Sequence, residues 1–501
     1  MRLILYARGA ARAYVPFLAL VISAMISGCL GSCGGGGGNG KTKTGHVEGT
    51  VYLPFTLTAS LQPASDVQVR LSGGDYLETV TTGTDGRFGF DDVPARTLTL
   101  LITPASCLAD SQLSVSVVAD DTLNLEVTLE GDVSGGCLAI PFAGAERMEI
   151  DQATNQAVLL YDTTIHSNPA LMVVDLATGA AQVSEFTDID DVFDLAFISS
   201  SVVVFNCFKA GQGFYLRFWD IQTMTSYRAD VQYAPYRGAP PAIDDLFGKL
   251  AVTPSGSDVF VSHRMRQGAT FDGKIYCINV AQGVYTDADQ NALDGEFAFD
   301  PDLVAGSINW PYGLAIDGAT GELLVGNYLD TLVIAINLTD WGTFDRDANL
   351  VAPIPGVRKI PMSSGVAGFK PWFWGFAGGR GVAANPSYGY STYVSGGSGA
   401  ATTGFEPNVQ LTSPTQHLAI DPVRGSWFTL VFDASRPQAV QRSVEERSLT
   451  TLAKLRRYET QFTVLPELRP RAFAVNSQTS NLYVTYDNRA IIEVFPLPVN
   501  P

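Results

Sequence analysis

One short pattern recurs after residue 140 and limits the fold more than any other feature of the sequence. An apolar strand ends in a small polar residue, turns through Gly or Asn, and resumes as a second apolar strand. The copies are Met148-Glu-Ile-Asp151, Leu195-Ala-Phe-Ile-Ser199, Leu250-Ala-Val-Thr253, Leu314-Ala-Ile-Asp317, Val382-Ala-Ala-Asn385, Leu418-Ala-Ile-Asp421 and Phe473-Ala-Val-Asn476. Their polar ends, at 151, 199, 253, 317, 385, 421 and 476, lie 48, 54, 64, 68, 36 and 55 residues apart. A unit of roughly 40–50 residues with several short strands cannot bury its own faces and stacks on its neighbours. Seven copies therefore predict seven small antiparallel sheets around a channel.

The copy Pro311-Tyr-Gly-Leu-Ala-Ile-Asp317 runs into the turn Gly318-Ala-Thr-Gly321 and the strand Glu322-Leu-Leu-Val-Gly-Asn327. This stretch resembles the NHL and YVTN class of β-propellers, which implies a seven-bladed β-propeller over residues 137–501. After Asn476 only two further apolar runs, 482–486 and 491–495, precede the end of the sequence. A four-stranded last blade then needs a strand from the start of the array, within or just after Cys137–Phe142, which also removes an exposed sheet edge.

Residues 45–130 carry a different pattern, with period-two alternation and Gly/Pro punctuation typical of half-buried strands. Val47-x-Gly-x-Val51, Val67-x-Val-x-Leu71 and the run Thr84-Asp-Gly-Arg-Phe-Gly-Phe-Asp-Asp-Val-Pro94 resemble the carboxypeptidase regulatory-like domain, a transthyretin-like β-sandwich. Ala95-Arg-Thr-Leu98 departs from that family's usual turn. The resemblance implies a non-catalytic spacer or adhesion module. The expected fold class is thus all-β: a small transthyretin-like β-sandwich followed by a β-propeller.

The N-terminus reads as an address. Arg2, Arg8 and Arg12 precede an apolar run from Tyr14 to Ile26 that is short for a spanning helix, the layout of a secretory leader. Ile26-Ser-Gly-Cys29 resembles the lipobox of bacterial lipoproteins. The resemblance implies cleavage after residue 28, a diacylglycerol on the Cys29 thiol, and anchoring in a lipid bilayer, with Leu30 rather than Asp pointing to the outer membrane. The Gly-rich residues 29–44 read as a flexible tether.

Charge bears on partners. The chain carries 32 basic and 50 acidic residues, net −18, and loss of residues 1–28 removes only three arginines. Such a balance argues against nucleic acid as partner, because phosphate binding needs a basic face.

Export would admit disulfides. Cys107 with Cys137 would close a loop at the exit of the first domain. Cys207 with Cys277 would join neighbouring repeats, or both are buried free thiols. No Cys-x-x-Cys spacing supports a zinc ribbon or a thioredoxin-like site.

Candidate sites are few. Asp287, Asp289, Asn291 and Asp294 offer oxygen ligands at alternate positions suited to calcium, although Ala292 and Ala298 stand where an EF-hand has Gly and Glu. Asp345-Arg-Asp-Ala-Asn349 repeats the alternation. Thr187-Asp-Ile-Asp-Asp-Val-Phe-Asp194 is a second acidic cluster, read as a cation site or a solvated connection. Trp372, Phe373 and Trp374 sit in the densest aromatic stretch, suited to stacking on a glycan or protein ligand, or to packing between blades. His46, His166, His263 and His417 are the histidines, and no nucleophile elbow, His-Glu-x-x-His or phosphate loop accompanies them. The expected function is binding of a protein or glycan by an exported, lipid-anchored propeller. The alternative is a lactonase-like, metal-dependent hydrolase or lyase in the channel, to which the propeller resemblance would assign Asn309 and Asn327.

Overall fold

The computed structural model describes residues 4–6, 43–57, 60–104, 107–131, 136–162, 167–235, 248–267, 270–281, 283–284, 296–298, 311–327, 332–339, 357–361, 373–377, 379–385, 389–394, 402–403, 409–411, 418–437, 441–459, 469–487 and 489–498. Cys29 and residues 30–42 of the expected tether lie outside them, and Thr44, placed at the tether's end by sequence, instead opens a strand. The described chain is all-β, with no α-helix, and no helix is long and apolar enough to cross a membrane. It divides into two compact units, Met1–Pro54 with Leu61–Gly135, and Phe55–Ser60 with Gly136–Pro501.

The first unit is built from β1 (Ile4–Tyr6), β2 (Thr44–Leu57), β3 (Ser60–Pro63), β4 (Gln68–Gly73), β5 (Tyr76–Thr81), β6 (Arg87–Pro94), β7 (Thr97–Thr103), β8 (Ser111–Ser116) and β9 (Thr122–Thr128). One sheet runs β6–β2–β9–β1 and the other β5–β4–β7–β8. Strand β1, inside the expected leader, lies parallel to Glu126–Thr128 in the full-length chain. The alternation of β4, β6 and β7 sends Val69, Leu71, Phe88, Phe90, Leu98, Leu100 and Ile102 into one apolar core. Two glycines are fixed by geometry. A Cβ on Gly49 would fall 2.7 Å from the Phe88 ring and 2.5 Å from the Leu125 carbonyl oxygen. Gly86, at φ 72°, makes the positive-φ turn into β6.

The second unit opens with β10 (Cys137–Ala139) and then holds seven small sheets among the described residues. The first contains β11 (Arg147–Asp151), β12 (Gln156–Tyr161), β13 (Ala170–Asp175) and β14 (Ala181–Glu185). The second contains β15 (Asp191–Phe197), β16 (Val202–Lys209), β17 (Gly213–Asp220), β18 (Thr225–Ser226) and β19 (Val231–Pro235). The third contains β20 (Leu250–Val252), β21 (Asp258–Gln267), β22 (Thr270–Asn279), β23 (Gly283–Val284) and β24 (Glu296–Ala298). The fourth contains β25 (Pro311–Asp317), β26 (Glu322–Asn327), β27 (Leu332–Asn337) and β28 (Val357–Pro361). The fifth contains β29 (Phe373–Ala377), β30 (Arg380–Asn385), β31 (Gly389–Val394) and β32 (Thr402–Thr403). The sixth contains β33 (Val409–Leu411), β34 (Ala419–Asp421), β35 (Ser426–Asp433), β36 (Arg442–Ser448) and β37 (Lys454–Tyr458). The last contains β38 (Pro470–Asn476), β39 (Asn481–Tyr486) and β40 (Ile491–Pro496).

Successive sheets pack face to face. Val158, Leu160 and Leu171 of the first share a core with Val203, Phe205 and Cys207 of the second. Val204 and Phe218 meet Val259, Val261 and Tyr276 of the third, and Phe260 and Ile275 meet Leu323, Val325 and Ile334 of the fourth. Phe376 joins the fourth and fifth, Val382 and Trp427 the fifth and sixth, and Phe428 and Leu430 pack with Phe473 and Leu482 of the last. Strands covered on both faces need unbroken apolar runs, as in Val202–Lys209, where only Lys209 is not buried. The strands β11, β15, β20, β25, β29, β34 and β38 touch in that order, and β38 touches β11. These strands therefore line the inside of a ring.

Strand β10 supplies the outer strand of the last sheet, in the order β10–β40–β39–β38. Cys137, Leu138 and Ala139 pair antiparallel with Glu493, Ile492 and Ile491, the closure that the strand count predicts. The seam is tied again at the turns: Asn476 Nδ2 donates to Asn155 Oδ1 at 2.8 Å, and Gln152 Nε2 donates to the Val475 carbonyl at 2.8 Å.

The recurrent polar residue has a local task. Asp317 Oδ1 accepts from the Ala319 and Thr320 amides (3.0 and 3.4 Å), Asp421 Oδ1 from Val423 and Arg424 (3.1 Å each), and Asn476 Oδ1 from Gln478 and Thr479 (2.9 and 3.1 Å). Four residues further on, Gly321, Gly425 and Ser480 take φ of 68°, 64° and 52° and close each turn. One copy of the pattern is misassigned by sequence. Val382-Ala-Ala-Asn385 lies in β30, a middle strand, and the inner strand of that sheet is Phe373–Ala377. The aromatic residues there mask the apolar-to-polar signature.

Candidate functional site

The inner strands β11, β15, β20 and β25 begin at a common end of the ring. Starts lie beside starts: Arg147 Nε sits 2.8 Å from Asp194 Oδ1, and the Leu250 amide donates to Asp194 Oδ2 at 2.9 Å. Ends lie beside ends: a Cβ on Gly318 would sit 3.3 Å from Pro254. Bulges mark several of these starts, between Val192 and Asp194, Pro311 and Gly313, and Pro470 and Phe473. A bulge re-aims the side chain that follows it. In β15 that residue is Asp194, whose amide donates to Asn206 Oδ1 at 2.7 Å, while Asn206 Nδ2 donates to the Gly248 carbonyl at 2.9 Å. Asp194 thus ties the first three sheets together.

Two carboxyls at this end hold protons unusually well. Glu149 shares a face of β11 with Arg147 and is half-buried. Burial and the Asp194 charge push its carboxyl up to about 8, against the pull of Arg147. Asp191 is pushed up to about 6 by burial; the Val192 amide opposes this, and Asp162 and Asp190 add to it. A carboxyl that keeps its proton at neutral pH donates a hydrogen bond where an ordinary glutamate accepts one.

The acidic cluster at 187–194 has local partners that sequence could not supply. Arg217 Nη1 donates to Asp188 Oδ1 at 2.8 Å, and its Nε donates to Asp230 Oδ1 at 3.0 Å. Lys209 reaches Asp230 at 2.8 Å. The Arg217 guanidinium holds Asp188 down to about 2. Asp190 Oδ2 accepts from the Ala210 amide at 2.6 Å. Asp188, Asp190 and Asp194 therefore fasten strands, with Arg217 beside Asp188 and Arg147 beside Asp194. Among the described residues no group of three or more His, Cys, Asp or Glu is arranged to hold a metal ion.

His263, buried on β21, stacks edge-on to Phe214 at 4.5 Å and lies near Tyr233 and Tyr276. Burial raises the Tyr233 phenol well above its ordinary range. This His is packed among rings. His46 pairs with Asp91 at 2.9 Å in an exposed contact. His166, His417, Asn309, Asp287, Asp289, Asn291 and Asp294 lie outside the described residues. The last four belong to the connection between β23 and β24. Trp372 also lies outside them, immediately before β29. Phe373 and Trp374 are strand residues, paired with Ala384 and Ala383. Cys107 and Cys137 are disulfide-bonded. Cys207 and Cys277 are buried free thiols, so the alternative of a disulfide joining them is corrected.

No protein-family model matches the sequence, and no curated protein matches it. Among solved structures the chain is similar to the β-propeller domain of Cps50 (Swd1) from Myceliophteria thermophila, with TM-score 0.48 and 9% identity over 72% of this chain and 98% of that one. It is also similar to a chain of a Mitotic Checkpoint Complex, with TM-score 0.44 and 13% identity over 72% of this chain and 90% of that one.

Proposed function

We propose that the protein is an exported lipoprotein, anchored through Cys29, whose transthyretin-like sandwich carries a seven-bladed propeller that binds a protein or glycan at the cell envelope. One observation carries the binding reading. The inner strands touch in a ring, and the chain enters β11, β15, β20 and β25 at one end of it. Rigid sheets that present variable connections on one face form a recognition platform. Phe373 and Trp374 open β29, another inner strand, and aromatic faces suit a sugar ring or an apolar side chain.

The test uses the processed chain in detergent, probed on a glycan array and against envelope proteins by crosslinking. Trp372→Ala is expected to weaken the captured ligand at least about tenfold, with melting unchanged. Binding unaffected by Trp372→Ala would remove the aromatic run from the site. Palmitate labelling that survives Cys29→Ala would remove the anchor.

A further inference from the structure

The third sheet differs from the second at the end of the ring where β20 begins. Strand β21 runs antiparallel to β20, with Val261 opposite Leu250, and the Ser262 amide donates to the Lys249 carbonyl at 2.9 Å. In the second sheet the hairpin turns close to the start of its inner strand, where Asp191 pairs with Phe208. In the third, β21 and β22 stay paired as far as Gln267 with Thr270. On the outer side β24 reaches Lys274 and no farther. The last four pairs, from Arg264 with Gly273 to Gln267 with Thr270, therefore overshoot both flanking strands by about 13 Å. Among the described residues no third strand pairs with them, so the β21 edge from Arg264 to Gln267 offers main-chain donors and acceptors to an added strand. The ribbon is rooted at His263, which is buried with its ring 4.5 Å from Phe214 and 6.1 Å from Tyr276.

The ribbon's charge is opposite to that of the chain. Between His263 and Ile275 stand three basic residues, Arg264, Arg266 and Lys274, and one acid, Asp272, in a chain of net −18. Arg264 and Arg266 are two positions apart, the period at which residues share one face of a strand. We propose that this ribbon edge takes an extended segment of a partner protein as an added strand, with acidic residues at alternate positions opposite Arg264 and Arg266. The proposal rests on the reading of the ring as a recognition platform and narrows its ligand to protein. Two features favour a peptide over a glycan. A sheet edge supplies main-chain hydrogen bonds that another peptide backbone matches along its length, and the spacing of the arginines matches the side-chain period of a strand. Pairs of arginine and carboxylate across the added strand then set the partner's register.

Fluorescence anisotropy on the full chain tests this with an eight-residue peptide alternating Val and Glu. Binding is expected, weakened at least about tenfold by Arg264→Glu with Arg266→Glu and weakened as salt is raised. The same double variant should prefer a peptide alternating Val and Lys, a gain that misfolding cannot produce. N-methylation of alternate peptide amides removes main-chain donors, keeps every carboxylate and should abolish binding. Equal binding of the N-methylated peptide, or equal binding by the double variant, would overturn the added strand, as would no binding of the Val/Glu peptide. Polygalacturonate held more tightly through the same arginines would put a glycan on the ribbon, and self-association lost in the double variant would put a second copy there. Either result would overturn a partner strand. Capture of an envelope protein that fails in Trp372→Ala but survives Arg264→Glu with Arg266→Glu would overturn the ribbon and leave the platform reading standing.

Discussion

Replacing Arg147 by Met removes the cation beside Asp194, a carboxylate that is 8% exposed and accepts the Leu250 amide from the third sheet. The new side chain fills much of the arginine stem's space, so the cost is electrostatic. Breaking a buried pair on one side typically costs about 3–5 kcal/mol, because the remaining charge is stranded. Proton uptake limits that cost. Burial already raises the Asp194 pKa despite Arg147, and without the guanidinium it rises further. Below that pKa the carboxyl is neutral and the deficit shrinks, so the loss grows as pH rises. Asp194→Asn added to Arg147→Met should recover about 2 kcal/mol, the coupling expected for a shared network. By contrast, Arg87→Ala, at a pair whose side chains are 79% and 63% exposed, should change stability by less than about 1 kcal/mol. Urea unfolding followed by Trp fluorescence at neutral and alkaline pH measures the wild type, Arg147→Met, Asp194→Asn, their combination and Arg87→Ala. A loss below about 1 kcal/mol for Arg147→Met, or singles that simply add, would refute the view that this pair ties the three sheets.

Burial pushes the Glu149 carboxyl up to about 8 in the folded chain, from an ordinary 4.5. The folded state therefore holds the extra proton between these values. The Glu149 contribution to stability should fall across that window, by up to ~1.4 kcal/mol per pH unit, and Glu149→Gln should flatten the slope. The Cys207 thiol, pushed up to about 12 by burial, should not react with an aromatic disulfide reagent until the chain unfolds, and Cys277 should behave alike. If the Asp287–Asp294 segment takes calcium, the ion raises the melting temperature and Asp287→Ala with Asp289→Ala abolishes the rise; no shift with calcium removes that site.

Much of the ring was legible because its signals are local. Leu314-Ala-Ile-Asp317 names a strand and its Asx turn within a few residues, and Gly321 supplies the positive φ. The closing strand was legible by counting: three strands from Pro470 onward leave a fourth place to be filled. The fifth sheet misled because Phe373-Trp-Gly-Phe-Ala377 lacks the polar end, whereas Val382-Ala-Ala-Asn385 imitates it from a middle strand. The roles of Asp188 and Asp194 were illegible for a different reason. Arg217 and Arg147 are distant in sequence, and only the stacking of sheets brings them within hydrogen-bond reach. Glu149 gave no signal either, since its proton affinity arises from burial beside Asp194.

The pairing of Cys137–Ala139 with Ile491–Glu493 also orders folding in time. Six sheets can assemble from neighbouring segments as the chain lengthens, but the last needs residues from both extremes of the unit. Contacts of such sequence separation form late, because the loop entropy must be met before the contact stabilises anything. The ring cannot finish until its final strand is available, and until then β10 stays unpaired and β39 presents an uncovered edge. A chain that crosses a membrane N-terminus first would hold this unfinished edge throughout its passage, so the terminal thirty or so residues set the moment of completion. Slow folding should therefore track truncation or mutation of β40 far more than equal changes in β12 or β26.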